Sequence, residues 1–306
     1  MNRPSNSTLI KDFLNFYIHS QQSIKMRKSS LNFFFSEDYF GYNSHIFDID
    51  TRTLKKYFIF LKNYDEVSIQ TRKNKWHILT SFLNFSMEDY EEFNITIPKR
   101  SINWNGALPK EKKIISNKDV VASKEEIELI LNKLKVNNFK HYLIFRILAE
   151  TGMRPGELRE AKIISFKKEY RHLHIKKGKT GEKIYNISKQ LCNELEQYVE
   201  SRKSENTTEP YMFLTKFLKK YGNRAFNLIL KRYLNLLGIK KNITCKTFRI
   251  TLNTLRKKEM GCDNDTAKEL LGHKTNDVNI KHYTKYDYTD LIELYDRYDP
   301  YKYLKL

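Results

Sequence analysis

The chain has 306 residues, 40% of them hydrophobic and 13% aromatic, which is enough for two globular domains each with a buried core. Its 56 Lys and Arg against 36 Asp and Glu give a formal net charge of +20, which points to a polyanion and first to nucleic acid; a basic surface kept for solubility is the plainer alternative. Cys192, Cys245 and Cys262 lie far apart without a CxxC spacing, and no apolar run approaches the ~20 residues that span a bilayer, so a disulfide framework, a cysteine zinc site and a membrane partner are all unexpected, and the cytoplasm or nucleoid is the expected compartment.

Residues 1–100 read as a helical domain. Ser7 opens an amphipathic segment with Leu9, Phe13 and Phe16 on one face, and a more basic segment runs from Ile24 to Phe35. Thr51 is placed to cap a third helix carrying Leu54, Phe58 and Leu61, and Ser68 a fourth running to about Met87. The fourth begins with Arg72, Lys73 and Lys75 and continues into an apolar face of Trp76, Ile78, Leu79, Phe82 and Leu83. Basic residues at the start of a core-anchored helix suit contact with DNA phosphates, so these three are candidate DNA-binding residues; a solvated basic face is the alternative.

Residues 101–122 read as a basic linker, poor in periodic apolar positions. A second domain, 123–306, starts at Ser123-Lys-Glu-Glu126, a capping box ahead of a helix through Lys133. Another helix spans about Phe139 to Glu150, breaks at Thr151-Gly152, and restarts at Pro155. Short alternating runs follow at Ile163–Phe166, His172–Lys176 and Lys183–Ile187, the last two joined by KKGKTGE as a hairpin with a long basic tip. Helices return at Lys189–Arg202 and Asn223–Leu236. The fold class expected is mainly α with a small antiparallel β-sheet.

From Thr244 to Tyr288 the chain concentrates groups suited to a phosphate diester. Thr244 caps a helix in which Phe248, Leu252 and Leu255 face the core, leaving Lys246 and Arg249 on one cationic face. Gly261 ends that helix, Asp263 or Asn264 caps the next, and Gly272 closes it with His273 at the terminus; Tyr283 follows ten residues after His273.

With TGMRPGEL at 151–158, KTFR at 246–249, LLGH at 270–273 and the tyrosine of IKHYTKY in this order around a basic hairpin, the chain resembles the tyrosine recombinases, or phage-type integrases. The resemblance covers roughly residues 123–288 and implies an N-terminal helical core-binding domain and a C-terminal α+β catalytic domain. It implies that Arg154 and Arg249 stabilise charge on a scissile phosphate as planar, permanently charged forks. Tyr283 is then the nucleophile, with Tyr286 and Tyr288 as rivals that spacing disfavours.

The resemblance also implies a hairpin lysine that protonates the 5′-oxygen leaving group, for which Lys176, Lys177 and Lys179 compete. Counting back from Ile187, which stands where the family has a strand-closing proline, selects Lys179 over Lys177, which remains a candidate DNA contact. Lys246 replaces the family's usual histidine. With an ordinary pKa of ~10.4 it hydrogen-bonds phosphate but is a poor base, so accepting the tyrosine proton, or bonding a nonbridging oxygen, passes to His273.

The implied reaction is site-specific cleavage and rejoining of DNA strands through a 3′-phosphotyrosyl intermediate. It conserves bond energy and needs no cofactor and no metal. The implied partner is double-stranded DNA, with a monomer or weak oligomer in the free state and a tetramer on paired sites passing through a Holliday junction. A tail helix carrying Leu291, Ile292, Leu294 and Tyr295 would dock on a neighbouring protomer, packing on its own domain being the alternative. A type IB-like topoisomerase and a non-catalytic DNA-binding relic of the family are the competing readings.

Overall fold

The computed structural model describes residues 3–16, 21–93, 95, 97, 121–178, 181–205, 207–272, 287–304 and 306. The chain divides into two compact units, Met1–Ile114 and Ile115–Leu306. The expected linker lies almost wholly outside the described residues.

The first unit is built of α1 (Asn6–Phe16), α2 (Gln21–Phe35), α3 (Thr51–Asn63) and α4 (Ile69–Asp89). α3 starts because Asp50, not Thr51, accepts the Thr53 N–H at 2.7 Å; α4 starts because Ser68 accepts the Thr71 N–H at 3.2 Å. α4 packs against α1, α2 and α3 through an aromatic core in which Phe13, Phe34, Tyr57, Trp76 and Phe82 are fully buried.

The second unit begins at the anticipated capping box. Ser123 Oγ accepts the Glu126 N–H at 3.1 Å, and the Glu126 carboxylate accepts the Ser123 N–H at 2.7 Å. This launches α5 (Lys124–Asn137), followed by α6 (Phe139–Thr151) and α7 (Pro155–Glu160). A three-stranded antiparallel sheet in the order β1-β2-β3 comes next: β1 (Phe166–Lys167), β2 (His172–Gly178) and β3 (Gly181–Asn186). Then come α8 (Lys189–Lys203), α9 (Ala225–Leu236), α10 (Cys245–Lys258), α11 (Asn264–Leu270) and α12 (Tyr288–Arg297).

Two expectations are corrected here. Ile163–Ser165 forms a 3-10 turn, leaving only Phe166–Lys167 as strand. The hairpin tip is short rather than long, because pairing continues past a bulge after Ile175 to Gly178↔Gly181.

Around α6, buried on nearly every side, the core gathers Phe145 against Phe248 of α10 with ring centroids 5.9 Å apart. Burying a side chain such as Phe248 or Leu252, both 0% exposed, contributes about 1.5–3 kcal/mol, so α10 is held firmly enough to aim its polar face.

The tail helix α12 docks on its own unit in this single chain. Tyr295 is 2% exposed and its hydroxyl donates to Glu150 Oε2 at 2.9 Å; Arg171 pairs with Asp296 at 2.7 Å. At the start of α12, Tyr288 lies against Tyr170 and His172, with centroids 5.6 and 5.3 Å away.

Candidate active site

Two glycine turns bring the separated boxes together. α6 ends at Gly152 with φ +62, and a Cβ there would lie 2.6 Å from Leu271 Cδ2 and 3.2 Å from Leu252 Cδ2. Glycine is therefore required both by the left-handed backbone and by the close approach of the turns. Arg249 ties the turns from the α10 side, its guanidinium donating to the Gly152 carbonyl at 2.5 Å and the Leu271 carbonyl at 3.1 Å. Burial pulls Arg249 below its ordinary range, Tyr185 opposes this, and Arg154 is near enough to press it lower. Lys246 sits one turn earlier on α10 and is exposed. Arg154, Arg249 and Lys246 thus share one part of the second unit.

Arg154 holds the N-cap position of α7, where Pro155 fits the first turn because its missing N–H needs no partner. Glu157, one turn on, accepts the Arg154 N–H and its guanidinium, each at 3.2 Å. The same carboxylate accepts Lys183 Nζ at 2.6 Å and Tyr185 Oη at 2.8 Å from β3. Burial pushes the Glu157 carboxyl up, but the hydrogen bonds from Lys183 and Tyr185 outweigh it and hold it below the ordinary glutamate range. Burial lowers Lys183, Glu157 works against that, and Arg154 and Arg249 add to it.

Lys183 also reaches the third box. α11, capped by Asp263 accepting two N–H groups at 2.9 Å, ends at Gly272 with φ +59, where an added Cβ would meet Lys183 Cδ at 3.0 Å. The lysine stem therefore lies directly under the turn that precedes His273. Sequence reading missed Lys183 because charged residues in a basic hairpin read as solvated. The available signal was alternation: Lys183, Tyr185 and Ile187 share one strand parity, and all three are buried.

His273, Tyr283 and Lys179 fall outside the described residues, as do Tyr286 and the side chain of Lys177. Tyr288, the other rival nucleophile, is part of the aromatic cluster at the head of α12.

The three candidate DNA-binding residues at the start of α4 stand in different settings. Arg72 donates to the carbonyls of Val67 at 3.1 Å and Lys62 at 2.8 Å, fastening α4 to the end of α3. Lys75 is 9% exposed, with its ammonium 3.6 Å from the centre of the Phe33 ring, and burial holds it below the ordinary lysine range. Lys73 is half-exposed. Helical period accounts for the difference: positions 72 and 75 turn toward the core side that Trp76 occupies.

Residues 121–290 match the phage integrase family model. The tyrosine recombinase XerC of Leptospira interrogans is 25% identical over 270 residues, covering 87% of this chain and 85% of the relative. Among solved structures, the Tn1549 transposon integrase in complex with transposon right-end DNA superposes with a TM-score of 0.70 at 15% identity, covering 96% of this chain and 99% of that one. A lambda integrase tetramer bound to a Holliday junction gives 0.63 at 15%, covering 93% and 81%. Both likenesses concern the fold. The chain belongs to the phage integrase family and is a site-specific DNA recombinase of the tyrosine type. The mainly α fold with a small antiparallel sheet is that of the family's structures.

Proposed function

We propose that Tyr283 attacks a DNA phosphodiester held by Arg154 and Arg249, giving a 3′-phosphotyrosyl enzyme and a free 5′-hydroxyl that a second strand's attack later reverses. The observation that carries this reading is the convergence of Arg154 and Arg249. They come from boxes almost a hundred residues apart, and Arg249 is tied to the carbonyls of both flanking turns. Rigid cationic forks in a partly water-excluded site stabilise charge that grows in the transition state without having to reorganise.

Lys179, which lies in sequence between β2 and β3, donates the proton to the leaving 5′-oxygen. Lys246 and His273 hydrogen-bond the phosphate, and His273 takes the tyrosine proton. Neither ATP nor a bound metal has a part in this scheme. DNA is the substrate and partner, and four protomers assemble on two paired sites. The cytoplasm or nucleoid is where such DNA is met.

The test is covalent trapping on a nicked suicide duplex. Wild type should form an adduct and Tyr283→Phe none, with unchanged DNA affinity. Lys179→Ala should cleave a normal phosphodiester slowly and recover on a bridging 5′-phosphorothiolate, whose sulfur leaves without protonation. Recovery in Lys177→Ala instead would transfer the role to Lys177. Relaxation of a supercoiled plasmid lacking any recombination site would favour the topoisomerase reading, and no adduct under any condition would favour the relic.

A further inference from the structure

We infer that Lys183 is a positioning residue whose charge offsets that of Glu157, so that Arg154 keeps its own positive charge for the scissile phosphate. The inference rests on the strand-transfer reading above. Glu157 has two cationic partners, and they are unequal. Lys183 stands 2.6 Å away, with side-chain exposures of 2% for the lysine and 5% for the carboxylate; Arg154 stands 3.2 Å away and its side chain is 33% exposed. Coulombic attraction strengthens with proximity and falls with access to water, so the inner pair is Lys183–Glu157 and Arg154 is its outer attachment.

Formal charge makes the consequence plain. Among the four groups gathered about Glu157, Arg154, Arg249 and Lys183 against the carboxylate leave 3 − 1 = +2, apart from the exposed Lys246 on α10. Attack of a phenolate on a phosphodiester monoanion puts two negative charges on the phosphorane. Without Lys183 the cluster would hold 2 − 1 = +1, and the carboxylate would face only Arg154, drawing its guanidinium inward and cancelling the charge meant for phosphate. Tyr185 donates to the other carboxylate oxygen but adds no charge. The Lys183 stem beneath Gly272 makes the same residue the floor of the turn leading into His273, so position and charge are set together.

This differs from a proton-donating role for Lys183, and a pair of variants separates the two. A buried ion pair broken on one side leaves an uncompensated charge, whereas both members can often be replaced by neutral groups of similar shape. Adduct formation is measured in a single turnover on saturating suicide duplex, with DNA affinity measured separately. Lys183→Met should slow adduct formation about a hundred-fold, the scale of losing one preorganised electrostatic group. DNA affinity should stay within about threefold, because phosphate contacts elsewhere dominate it. Lys183→Met/Glu157→Gln should return to within about tenfold of wild type, since removing the carboxylate removes the need for its countercharge. Lys183→Arg should be milder than Lys183→Met.

A Lys183→Met protein as fast as wild type, or a double variant no faster than the single, overturns the inference while leaving the recombinase reading intact. If Lys183→Met does not melt cooperatively, the double variant decides alone: folded and active supports charge matching, folded and inactive refutes it. A wild type that forms no adduct sinks the strand-transfer reading itself, and the Lys183 argument with it.

Discussion

Two buried glutamates seven residues apart organise the second unit, and they are put to opposite uses. Glu150, 3% exposed at the end of α6, receives Arg146 at 2.7 Å, the Ser188 N–H and hydroxyl at 3.0 and 3.1 Å, and Tyr295 at 2.9 Å. Arg146 also donates to Tyr142 and to Glu194, and Arg256, 1% exposed, donates to the Tyr298 carbonyl beside the tail. Every charge there is turned inward and joins α6, α8, α10 and α12. Glu157 is built from the same ingredients, yet its arginine remains one-third exposed and a buried lysine takes the near position. Charge closed in on itself fastens elements; charge left over at an opening can act on a substrate.

The comparison is broken most severely at Arg249. Arg249→Ala should lower the adduct rate by about a thousand-fold or more, as removal of a transition-state donor does, with DNA affinity nearly unchanged. An equal fall in affinity would make Arg249 a general DNA contact instead.

On the closed side, Glu150→Ala should cost about 3–5 kcal/mol of stability in urea, because Arg146 would stay buried with only Glu194 as a carboxylate partner and the Ser188 and Tyr295 donors would lose their acceptor. Loss of less than about 1 kcal/mol would mean that the Glu150 cluster is not what fastens the tail.

A pH dependence sharpens the same region. Asp299, 6% exposed, is pushed up from 3.8 to about 6, chiefly by burial and then by Glu150, with Arg256 opposing and Asp296 adding to the rise. A carboxyl raised in the folded state lends stability that is full below pH 3.8 and is lost as pH climbs through about 6. Asp299→Asn should therefore match wild type near pH 3.5 and exceed it by about 3 kcal/mol at pH 7. A constant difference across that range would contradict the assignment.

The smallest effects belong to α4. Arg72→Ala should cost about 1 kcal/mol of stability by freeing two carbonyls and leave the salt dependence of DNA binding unchanged. A salt slope reduced by about one would restore Arg72 as a phosphate contact.

How much of this was legible depended on whether a residue's type announced its place. Ser123 and Glu126, Ser68, Gly152 and Gly272 were readable because caps and left-handed turns demand particular residues. The order of the boxes around Arg154 and Arg249 was readable for similar reasons, as both arginines sit beside helix signals. Lys183, Lys75 and Arg72 were not: a lysine or arginine reads as solvent-facing, and only tertiary partners such as Glu157, the Phe33 ring and the Lys62 carbonyl turn it inward. The extent of the hairpin was not legible because Gly178 has little strand preference, and its pairing is supplied by Gly181 of β3. The tail's docking on α6 could not be read either, since Tyr295 and Glu150 lie 145 residues apart.

The central claim is that this constellation serves one particular nucleophile, and a peptide map of the trapped adduct tests it most directly. After covalent capture on a suicide duplex, nuclease trimming and proteolysis, the nucleotide should be found on the peptide containing Tyr283, with fragmentation placing it on that tyrosine. A nucleotide on Tyr286 or Tyr288 would contradict the account.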